Sequence, residues 1–84
     1  MAALELYEAL AALRDTASRL EAALPRLGGA LERSLDAYEV RDSRDPARSV
    51  AACRARLDTA AELFGRAAVE LDAAQNDIRD QGHA

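Results

Sequence analysis

Two long heptad runs fix what this chain can become. Apolar or small residues recur at alternating spacings of four and three: Leu6, Leu10, Leu13, Ala17, Leu20, Leu24, Leu27 and Leu31, with Tyr38 a heptad later. A polar break follows. A second run then takes up the same period: Val50, Cys53, Leu57, Ala60, Phe64, Ala67, Leu71, Ala74 and Ile78. That period draws a narrow apolar seam along a helix. Two such seams joined by a short polar turn predict an all-α fold, an antiparallel two-helix hairpin.

The length limits how well such a hairpin can stand alone. A chain of 84 residues makes one domain, and one of this size buries only about 60–65% of its unfolded surface. In a lone hairpin each helix covers just one side of the other. Pairing into a four-helix bundle, by homodimerisation or with another helical protein, is the usual remedy. Strand-favouring residues are scarce, with one Phe, two Tyr and no Trp, whereas Ala and Leu abound and are strong helix formers.

The boundaries read as a helix over about 3–40, a turn over about 41–45, a helix over about 46–80 and a tail over 81–84. Glu5 and Glu8 lie near the start of the first helix, where the helix dipole favours negative charge. Pro25, Gly28 and Gly29 interrupt that helix; proline inside a helix removes a hydrogen bond and crowds the preceding turn. Either the helix kinks there or it ends near Leu27 and restarts at Ala30. Leu20, Leu24, Leu27 and Leu31 keep one phase across the interruption, which favours a single kinked helix. Asp45 followed by Pro46 reads as an N-cap with proline in the first helical position. Gly82 reads as the stop of the second helix, with Arg79 in its last turn.

Pairing outward from the turn sets Tyr38 by Val50, Leu31 by Leu57, Leu24 by Phe64, Leu20 by Ala67, Ala17 by Leu71 and Leu10 by Ile78. Beside the seam, Ala9, Ala23, Ala30 and Ala37 repeat every seven residues on the first helix, and Ala61 and Ala68 flank the second. Leu35, Leu63 and Tyr7 also fall off the seam. Two readings compete. Alanine is a good helix former anywhere on a helix, or else this wider apolar face meets a second chain. Leu35 and Leu63 favour the second, because helix propensity does not explain an exposed Leu.

Little in the chain suggests chemistry. The one His, His83, sits in the tail, and the one Cys, Cys53, falls on the seam, where cysteine behaves as a small hydrophobe. A single Cys makes no internal disulfide. No Cys/His cluster has metal-ligand spacing, and Gly28-Gly29 is not a phosphate loop. The expectation is a non-enzyme with no cofactor, no metal and no small-molecule substrate. The net charge of -4 argues against nucleic acid. Arg41, Arg44, Arg48, Arg54 and Arg56 nevertheless gather near the turn, opposed there by Asp42 and Asp45. This basic tip is either a solvated end or a docking point for an acidic surface. No apolar stretch reaches the roughly 20 residues that span a bilayer, and the N-terminus lacks a signal-peptide pattern. A cytoplasmic location is expected, with export by a signal-peptide-independent route left open.

In length, alanine richness, acidic balance and helix-turn-helix plan the chain resembles the small WXG-motif helical hairpins exported by type VII secretion. The stretch Ala73-Ala74-Gln75-Asn76-Asp77-Ile78-Arg79 is similar to their C-terminal helices. The Trp-x-Gly turn is absent, its place held by Ser43-Arg44-Asp45-Pro46. The resemblance implies a secreted or secretion-associated hairpin as the alternative to an interaction module. The resemblance assigns the export role to no residue of this chain.

Overall fold

The computed structural model describes residues 2–37 and 46–79, with the side chains of 35, 36, 37 and 46 left aside. The described residues form two helices, α1 (Ala3–Ala37) and α2 (Pro46–Asp77), packed along their length. They run antiparallel: Arg14, early in α1, reaches Asp72 late in α2, while Glu32 reaches Arg54. The expected turn, Asp45 cap, Tyr38 and tail lie outside the described residues.

α1 passes through Pro25 without a break. Of the two readings of that segment, a loop with a restarted helix is therefore rejected. Pro25 has no N–H to offer the carbonyl of Glu21 four residues back, yet the helix continues because packing against α2 holds both sides of the fault. α2 begins at Pro46, as proline at a first helical position allows. It ends at Asp77, short of the expected residue 80. Arg79 N–H donates to the Asn76 carbonyl at 3.3 Å, and the Arg79 guanidinium donates to the Asn76 side chain. The tightened turn closes over Asn76 and Asp77, two weak helix formers, so Arg79 lies beyond the helix and not in its last turn.

The molecule is a rod of 61 × 17 × 16 Å with a radius of gyration of 18.6 Å, where a compact chain of this length would have about 12 Å. Its accessible surface is 6485 Å², roughly a third above the ~4,900 Å² of a compact protein of this mass. Among the described residues the buried apolar side chains are Ala17, Val50 and Ala61, and no large side chain is fully buried. Two helices touching along one line cannot enclose a core.

The seam differs from the expected one by half. Leu10, Leu24 and Leu31 on α1 and Leu57, Phe64, Leu71 and Ile78 on α2 are partly buried, with Ala17 and Val50 buried outright, all as expected. The other half of the α1 run has turned outward, whereas on α2 Ala60, Ala67 and Ala74 stay half-buried and Cys53 alone of that half is exposed. Leu6, Leu13, Leu20 and Leu27 are 40%, 55%, 36% and 58% exposed, and Cys53 is exposed. The seam instead takes the column one residue along: Tyr7, Arg14 and Gly28 on α1, and Arg54, Ala61, Ala68 and Gln75 on α2, all buried or partly so. This column is polar or small, and it permits a close approach. The Arg54 side chain passes over Gly28, its Cγ 3.2 Å from where a Cβ would stand, and Glu21 lies in the notch left by Gly65. These contacts place the register within about one turn of the expected pairing.

Candidate functional site: an apolar face opposite a charged one

The hairpin has two unlike broad faces. On one, Arg14 donates to Asp72 Oδ1 at 3.1 Å and to Gln75 Oε1 at 2.8 Å. On the same face Arg54 pairs with Glu32 and lies 4.0 Å from Asp58. Gln75 is the buried polar side chain among the described residues; its amide nitrogen reaches the Tyr7 carbonyl at 3.5 Å, so both ends of the amide have partners. Hydrogen bonds from Arg14 to Asp72 and Asp15 raise the guanidinium pKa further above its usual range. These pairs are part-exposed, and such pairs contribute little to stability. Their effect is on geometry: they decide which edges of the two helices meet.

The opposite face follows from helical geometry. The ion pairs lie to one side of the inward columns, so the residues one step to the other side of both columns share the remaining face. Those are Leu6, Leu13, Leu20 and Leu27 from α1, and Cys53, Ala60, Ala67 and Ala74 from α2. Every one is apolar. The leucines stand exposed; Cys53 is exposed and the three alanines are half-buried. Leu63, 58% exposed, extends the face at its α2 edge. It lines a shallow depression of about 310 Å³ with Ala55, Arg56, Thr59 and Ala60.

The residues singled out from sequence fare unequally. Leu63, Ala23 and Ala30 are exposed on this side of the hairpin. Ala61 and Ala68 are not a free flank: Ala61 is buried and Ala68 half-buried in the hairpin's own seam, because the seam runs one residue over from the expected line. Arg48 is exposed; Arg41, Arg44 and the Leu35 side chain lie outside the described residues. The leucine column is a surface that the sequence reading does not anticipate, because a strict seven-residue leucine repeat reads equally as the pairing of α1 with α2.

Among the described residues no three His, Cys, Asp or Glu side chains gather as metal ligands, and no helix is long and apolar enough to cross a membrane. The chain matches no family model, no curated protein and no solved structure.

Proposed function

We propose that this chain is a non-catalytic helical interaction module, whose working part is the face bearing Leu6, Leu13, Leu20 and Leu27. The observation that supports it is the exposure of that whole column in a hairpin where, among the described residues, no large side chain is fully buried. Scattered exposed leucines are ordinary, but a contiguous apolar strip along a rod marks a contact surface. Covering it with another helical protein, or with the same one, completes the core that two helices leave open.

Replacing Leu13 and Leu27 with Gln tests this. Both are more than half exposed in the hairpin, so the change should leave helix content intact. It should abolish assembly or, in a monomer, lower the binding of a hydrophobic dye. A monomeric wild type that bound no more dye than the double variant would refute the reading, because there would then be no apolar face to cover.

A further inference from the structure

We propose that the occupant of this face is a second copy of the chain, related by a two-fold axis parallel to the helices, so that α1 of each copy lies antiparallel on α2 of the other. The proposal rests on the interaction-module reading and names its partner and geometry. The face is self-complementary in one particular way. It carries a column of large residues from α1 beside a column of small ones from α2. Arg14 meets Asp72 and Gln75, and Glu21 meets Gly65; the helices are therefore level such that Leu13 stands beside Ala74, Leu20 beside Ala67 and Leu27 beside Ala60.

A two-fold axis along the rod keeps every residue at its level and exchanges the columns. Leu13, Leu20 and Leu27 of one copy then sit over Ala74, Ala67 and Ala60 of the other. Ala23 of one copy comes over Leu63 of the other, which covers the most exposed leucine of α2. An axis across the rod would instead stack leucine on leucine and alanine on alanine, holding the plates apart on one edge and leaving a gap on the other. Interiors pack densely, large against small, so the first arrangement is favoured. It is also isologous and closes on itself, as dimers of identical chains do.

The area suffices. A face as long as the 32 residues of α2 at 1.5 Å each, and 17 Å wide, gives about 800 Å² per copy, the size of a stable protein–protein interface.

Cross-linking decides between the arrangements. In a Cys53→Ala background, chains carrying Leu20→Cys are mixed with chains carrying Ala67→Cys and oxidised. Circular dichroism first checks that both are helical. The expected product is a disulfide between the two different chains, of about twice the 9.0 kDa monomer mass, with far less product from either chain alone. Disulfides need Cα atoms within about 7 Å, and only the parallel axis brings positions 20 and 67 together between copies. Self-linking of the Leu20→Cys chain would overturn the proposal in favour of the crossed axis. A dimer in which none of these pairs links would overturn it in favour of another surface. A wild type that stays monomeric through the micromolar range would overturn it as well; dye binding by that monomer, lost on changing Leu13 and Leu27, would show that the interaction-module reading survives without a second copy.

Discussion

Gln75 is the residue that best tests how this seam is held. It is buried, and its amide is satisfied at one end by Arg14 and at the other by the Tyr7 carbonyl. A buried polar group deprived of its partner costs about 1–3 kcal/mol, whereas removing both polar partners together is nearly neutral. Gln75→Leu should therefore shift stability by no more than about 1 kcal/mol in either direction. Arg14→Leu should lower the melting temperature, since the Gln75 carbonyl then loses its donor. The double variant should recover much of that loss, which thermal melts of the three proteins would measure. The guanidinium pKa of Arg14 is raised in the folded state, so its contribution is complete below the unfolded value and disappears only as pH rises through the folded one. That window lies beyond ordinary alkaline conditions, and the Arg14 contribution should be flat across neutral pH.

At the scale of the helix, two faults stand out. Pro25 is exposed and lies inside α1. Pro25→Ala should restore the bond to the Glu21 carbonyl and raise stability by on the order of 1–3 kcal/mol, read from chemical denaturation. Gly65 and Gly28 differ in an instructive manner. A methyl at Gly65 displaces the flexible end of Glu21, but one at Gly28 presses on the Arg54 stem, which Glu32 and Asp58 hold in place. Gly65→Ala should thus gain up to about 1 kcal/mol of helix propensity, while Gly28→Ala gains less or loses. The helices, their antiparallel order and the proline start of α2 could all be read from the sequence, because period, turn polarity and Asp45-Pro46 agree. Half the seam could not. Leucine at positions 6, 13, 20 and 27 looks more like an interface than Tyr7, Arg14, Glu21 and Gly28 do, and pattern alone does not say which of two interfaces a leucine serves. Close approach at the glycines and the Arg14–Gln75 bond turn the pair the other way, effects that depend on how side chains meet across the seam.

For the whole molecule, the proposed dimer would make folding and assembly one process, because among the described residues no large side chain is fully buried within one chain. The melting temperature should rise with protein concentration, as it does when association stabilises the native state; a melting temperature independent of concentration would mean that the hairpin folds without a second chain. Covering a half-exposed leucine contributes about 1 kcal/mol. Leu13→Gln with Leu27→Gln, counted in both copies, should therefore weaken dimerisation by about 4 kcal/mol, or roughly a thousand-fold in Kd, measurable by sedimentation or light scattering. Phe64→Ala belongs to the same scale. Phe64 is only half-buried within one chain, so the variant should lose less than the ~3–5 kcal/mol of a fully enclosed Phe when measured at the lowest concentrations.

That no large side chain is fully buried among the described residues has a consequence for how the proposed dimer would be regulated. Where pairing supplies the missing burial, the folded population below the midpoint of assembly varies with the square of the amount of chain. Halving synthesis then cuts the protected form about four-fold and leaves the remainder to proteases, which act on the unfolded fraction. Supply alone, without modification or ligand, would then set the amount of protected chain more steeply than in proportion.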